Sequence, residues 1–281
     1  MNKKRLGFYT PALLTALAFL FPSPAQAQKG PGDTPAAGGA SPAAAPEGFG
    51  PVAPNRPGFT NGSATIAPGD ALAENGLALT RTSAASGGTT TLDLPETNLR
   101  IGLTPSLEAD VGLPDDFQMH HGDHGFGDGA VGVKYRFYQS KDGNTKASVA
   151  PSLTLPTHTA YSSGQVDPVL LFGIQTAAGS RWSLASNLVL TDPTTNTSGQ
   201  SRQRLFTTTL SGSVAYVLTP KLSAYFDSYD VVPRRGPSSP VADGGFTFLV
   251  NKNLQLDAGV YEGLGGAAPV RVLAFGASFR L

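Results

Sequence analysis

Residues 270–281 read Val-Arg-Val-Leu-Ala-Phe-Gly-Ala-Ser-Phe-Arg-Leu and alternate to the last residue. Leu273, Phe275, Ala277, Phe279 and Leu281 fall on one face, and Ala274, Gly276, Ser278 and Arg280 on the other. A period of two is the pleat of a β-strand, so one side of this strand is oily and the other small or polar.

The same period recurs upstream. Leu107, Ala109, Val111 and Leu113 oppose Glu108, Asp110 and Gly112; Val131, Val133, Tyr135 and Phe137 oppose Gly132, Lys134 and Arg136; Leu254, Leu256, Ala258 and Val260 oppose Gln255, Asp257, Gly259 and Tyr261. Such runs predict twelve strands, near 74–82, 89–103, 107–114, 127–139, 146–156, 165–177, 181–191, 203–218, 222–232, 243–250, 254–262 and 270–281. Leu92 and Leu94 differ in parity from Leu99, Ile101 and Leu103, so a bulge is expected at Pro95-Glu96, where proline cannot donate to the ladder.

Connections alternate in length. Thr104–Ser106, Lys141–Asn144, Ala178–Ser180, Thr219–Lys221 and Asn251–Asn253 are tight turns, whereas 115–126, 157–164, 192–202 and 233–242 are mostly longer. An even strand number, short turns at one end and long loops at the other predict an all-β fold: a transmembrane antiparallel up-and-down β-barrel in the bacterial outer membrane. The terminal strand resembles the signal by which such barrels reach the barrel-assembly machinery, an expected partner alongside outer-membrane lipid.

The remaining sequence fits that destination. Lys3, Lys4 and Arg5, the apolar run from Ala12 to Phe21 and Ala25-Gln26-Ala27 predict a signal peptide over residues 1–27, the apolar run being about ten residues against the roughly twenty of a spanning helix. Residues 28–54, rich in Ala, Pro and Gly, predict a disordered periplasmic linker, and residues 55–281 the barrel, opened by a lead-in segment with Arg56, Pro57 and Phe59. No cysteine is present, which excludes disulfides, a lipidated N-terminal cysteine and cysteine-based metal sites. Without the signal the charge is slightly negative and no basic run exists, so no nucleic acid partner is expected.

In a barrel the oily faces meet lipid and the other faces turn inward. The lumen-facing candidates are Glu96, Arg100, Glu108, Asp110, Lys134, Arg136, Asp167, Asp227 and Asp257, with Asp93 and Arg280 on the same faces and Tyr225, Tyr229 and Tyr261 suited to polar or aromatic solutes. Salt bridges among these charges are expected in so narrow a barrel. His120, His121 and His124, beside Asp123 in a long loop, are weak metal candidates, a solvated loop being the simpler reading. Gly125–Gly129 leads into a strand, which rules out a helix-borne phosphate loop. His158, Ser162 and Asp167 invite comparison with outer-membrane lipid hydrolases, but nothing in their spacing orients a nucleophile and base. No catalytic residue and no cofactor is expected.

Several fragments in order resemble the transporter-like family named for the MetA-pathway of phenol degradation. They are Arg56–Thr60, Leu94–Glu96, Leu99–Thr104, Gly125–Asp128, Lys134–Arg136, Pro151–Thr157, Val166–Pro168 and Leu254–Asp257. That resemblance implies an outer-membrane uptake component for small, aromatic molecules. A channel for a small-molecule solute is therefore the leading expectation; a non-transporting structural or binding barrel, its lumen blocked by salt bridges, loops or the N-terminal tail, is the alternative, and a lipid hydrolase the remote one.

Overall fold

The computed structural model describes residues 50–82, 88–119, 124–159, 161–195, 203–266 and 268–281. The strands are β1 (Ala71–Arg81), β2 (Thr90–Thr104), β3 (Leu107–Gly112), β4 (Asp116–Met119), β5 (His124–Phe126), β6 (Gly129–Gln139), β7 (Thr145–Leu155) and β8 (Asp167–Ala178). They continue as β9 (Trp182–Thr191), β10 (Thr194–Thr195), β11 (Gln203–Arg204), β12 (Thr207–Val217), β13 (Leu222–Pro233), β14 (Ser239–Asn251), β15 (Leu254–Gly263) and β16 (Arg271–Arg280). Leaving aside the short β4, β5, β10 and β11, the other twelve strands pair antiparallel in a ring that closes where β1 meets β16, making a twelve-stranded barrel. Closure removes the free edges that a sheet in lipid could not satisfy.

The short turns are built by side chains that cap the backbone. Thr219 Oγ1 accepts the Lys221 and Leu222 N–H groups, and Asn251 Oδ1 accepts the N–H of Asn253. Asp142 accepts from Ser140 Oγ and from the Asn144 N–H and amide, which hold its carboxyl below the usual range.

In the predicted bulge, Gly76 faces Glu96 but Ala78 faces Asp93, leaving Leu94-Pro95 looped out. The inward parity changes there, so Asp93 and Glu96 both point into the barrel, at 0% and 9% exposure. Most boundaries fall within three residues of expectation, and three departures are larger. β14 begins at Ser239 instead of 243, Pro240 being paired with Asp230 and accepting from the Leu264 N–H at its carbonyl. The run 203–218 is broken at Leu205-Phe206, which separates the β10–β11 hairpin from β12. The long 115–126 connection holds the β4–β5 hairpin, which pairs with β2 from Thr91 to Leu94.

The outside is oily. Leu79, Ile101, Val133, Phe172, Leu188, Leu210, Phe226, Phe246, Leu256 and Phe275 are all exposed. Water would not tolerate such a continuous apolar belt, whereas acyl chains do. At the short-turn end Tyr138, Trp182 and Tyr216 form an aromatic rim, with Trp182 and Tyr216 in tilted contact at 4.6 Å.

A candidate functional site in the filled lumen

The lumen is occupied by the chain itself. Residues 50–70 enter beside the short turns, where Arg280 Nη2 donates to Gly50 O and the Val52 N–H to Lys252 O. They reach across to β9, β12 and β13 and come back to the same end, where Thr65 Oγ1 donates to Pro105 O. The return passes so closely over Gly102 that a Cβ there would lie 1.9 Å from Ala67 O. Between residues 55 and 66 the plug runs outside the sheet's ladder, so its N–H groups need acceptors from side chains of the wall.

Inward side chains supply them. Glu74 Oε1 accepts from Asn55 N–H (2.9 Å), Asp227 Oδ2 from Phe59 and Thr60 N–H (2.9 and 2.6 Å), and Glu108 Oε2 from Ile66 N–H (2.6 Å). Gln175 Oε1 accepts from Ser63 N–H, and Asn187 both accepts from Asn61 N–H and donates to Asn61 O. Thr60 Oγ1 donates to Asp227 Oδ1 and lies 2.9 Å from Ser211 Oγ. Carboxylates accepting N–H groups form charge-assisted bonds, about twice as strong as neutral ones.

Two arginines fasten the arrangement. Arg56, on the plug, bonds Glu96 at 2.9 Å, pairs with Asp257 at 3.5 Å and donates to Phe275 O. Its guanidinium fits because Gly76 and Gly276 face each other in the wall; a Cβ on Gly76 would sit 2.2 Å from it. Arg100, on β2, bonds Glu74 and Glu108 at 3.0 and 2.8 Å and donates to the plug carbonyls of Ala53 and Ala64. Lys134 Nζ lies 2.8 Å from Glu108. Aromatic contacts complete the seat: Phe59 stacks on Tyr229 with centroids 4.1 Å apart, and Tyr261 OH donates to Pro57 O.

Of the candidates read from the sequence, Glu96, Arg100, Glu108, Lys134, Asp227 and Asp257 thus converge on the plug and on one another. Asp110 is half-buried at 3.7 Å from Arg100, and Arg136 donates to Pro105 O at the short-turn rim. Asp167 lies at the long-loop rim, where it accepts from Thr194 N–H and Oγ1 and pairs with Arg204. Glu74, Gln175, Asn187 and Ser211 carry no mark in the sequence, whereas Arg56, Pro57 and Phe59 are legible there as a structured lead-in after the Ala/Pro/Gly-rich tail but not as a plug.

His120 and His121 lie outside the described residues, His124 is exposed on β5, and no metal-holding cluster occurs among the described residues. His158 is exposed, Ser162 Oγ accepts from the Gly164 N–H, and the Asp167 carboxylate is bonded to Thr194.

Fold and lumen together define an outer-membrane type of β-barrel with an internal plug. The family described as "Putative MetA-pathway of phenol degradation" matches residues 54–281, and the chain belongs to it. No curated protein matches the sequence. Among solved structures, the COG4313 outer membrane channel from Pseudomonas putida F1 is similar with a TM-score of 0.62 at 12% identity, covering 78% of this chain and 98% of that one. The NanC porin aligns with a TM-score of 0.55 at 7% identity over 75% and 100% of the chains, and the KdgM porin with 0.50 at 8% over 74% and 98%. At these identities the likeness is one of fold.

Proposed function

We propose that the protein is an outer-membrane channel, not an enzyme, for small uncharged solutes, aromatic ones among them. The observation that carries this reading is a closed barrel with an oily exterior whose polar lumen is narrowed by residues 50–66. A lumen filled in this way excludes bulky or strongly hydrated solutes, and its mixed charges favour none of the simple ions. The family to which the chain belongs, and the channel and porin names of its structural neighbours, support transport over catalysis.

A barrel sealed by its plug is the second reading, favoured by the many bonds that hold residues 55–66. Planar-bilayer recording separates the two. The channel reading predicts small but measurable conductance for the full chain and a large increase when residues 50–66 are deleted; removal of residues 28–49 should change little. A full chain that passes neither ions nor phenol, beside a conducting deletion variant, would favour the sealed barrel.

A further inference from the structure

The backbone ladder between β6 and β7 is interrupted. Pairing runs from Gly129 with Leu155 to Gly132 with Ser152, then resumes at Tyr135 with Val149. The pairs that register sets between, Val133 with Pro151 and Lys134 with Ala150, are missing, although Pro151 keeps its pairing with Leu170 on β8. Among the described strand pairs this is the only gap without a change of register. The cause is chemical: Pro151 has no N–H to give, and proline within a paired strand removes a ladder bond.

The two faces of the wall differ at this gap: the outer one is apolar, whereas the inner one carries the buried Lys134, its Nζ on Glu108, opposite the small Ala150. Outside, a groove of about 690 Å³ is lined by Val133, Pro151, Leu153, Pro168, Leu170 and Leu190. Inside, where most of the wall is polar, Ala150, Val169, Leu171 and Val189 form a buried apolar cluster. Leu171 and Val189 precede Gly173 and Asn187 on the long-loop side, so the cluster lies immediately beyond the point where Asn187 holds the plug.

We infer that the β6–β7 seam at Pro151 is a sideways exit through which a small apolar molecule passes from the lumen above the plug into the outer leaflet. This rests on the channel reading above. The plug bars the straight path, but an apolar solute needs no straight path: once past the polar outer surface, it crosses the bilayer unaided. With the Lys134 ammonium bound to Glu108 on β3, the inner apolar cluster on β7 to β9, the ladder gap and the outer apolar groove form the low-polarity route such a molecule requires.

Because the chain lacks cysteine, the seam can be sewn shut. The full-length Val131→Cys/Leu153→Cys variant, which spans the seam beside the gap and keeps Pro151, is expressed in cells, and influx of the apolar fluorophore N-phenyl-1-naphthylamine is measured before and after oxidation and again after reduction. The expected result is influx above that of cells without the protein, lost on oxidation and restored by reductant. A Leu188→Cys/Leu210→Cys variant, cross-linked on the same outer face between β9 and β12, should keep full influx, which removes folding and oxidation as explanations. A Pro151→Val variant, which regains the donor, should also lose influx.

Unchanged influx through a cross-linked Val131/Leu153 pair would overturn the seam and leave the channel reading standing. A wild type that confers no influx, together with no conductance, would overturn both. Oxidation of Val131→Cys into a dimer of chains, with influx unaffected, would reassign the groove to a second copy.

Discussion

The inner wall has two unlike sectors. Along β1 to β3 and β13 to β15 it carries Glu74, Asp93, Glu96, Arg100, Glu108, Asp227, Asp243 and Asp257, nearly all buried. Along β7, β8, β9 and β12 the buried inward residues are Ser148, Ala150, Val169, Leu171, Gln175, Asn187, Val189, Thr209 and Ser211, neutral apart from Asp167 at the rim. The plug lies across both and is held differently by each: ionic bonds through Arg56 and carboxylate acceptors on one side, amide and hydroxyl groups on the other. A buried charge without its partner is far more costly than an amide without one, so the charged sector fixes the plug and the neutral sector leaves room for an apolar route.

Breaking the charged sector should have the largest effect. Arg100→Met leaves Glu74 and Glu108 without their shared cation and frees two plug carbonyls, a loss of roughly 3–5 kcal/mol for a broken buried network. Urea unfolding of the barrel in lipid vesicles would measure it. Breaking the neutral sector should be milder: Asn187→Ala leaves the Asn61 N–H and C=O without partners, about 1–3 kcal/mol, and exchange of that amide with solvent should accelerate while the strands stay protected.

How much of this was legible in the sequence follows from the same physics. Lipid outside and polar groups inside force a period of two on every spanning strand, so Leu273, Phe275 and Phe279 announce their face and Glu108, Lys134 and Asp227 theirs. The change of parity around Pro95 was visible for the same reason. The plug obeys no period: the residues bonded to Asn55, Phe59 and the Arg56 guanidinium lie 19, 168 and 219 positions away, and no local pattern encodes such pairings. Arg56 and Phe59 could be seen as part of a structured lead-in, but the inward carboxylates read as a solute path are in large part their seat. Pro151 was visible within a strand, whereas its missing ladder pairs required the neighbouring strand to be in place.

Occupation of the lumen by residues 50–66 can be probed with a disulfide across the plug's tip. Thr60 and Ser211 have their side-chain oxygens 2.9 Å apart in a chain otherwise free of cysteine. The Thr60→Cys/Ser211→Cys variant, isolated from outer membranes, should carry a quantitative 60–211 disulfide by mass spectrometry of its peptides. Two free thiols that react readily with a water-soluble maleimide in the folded barrel would contradict it.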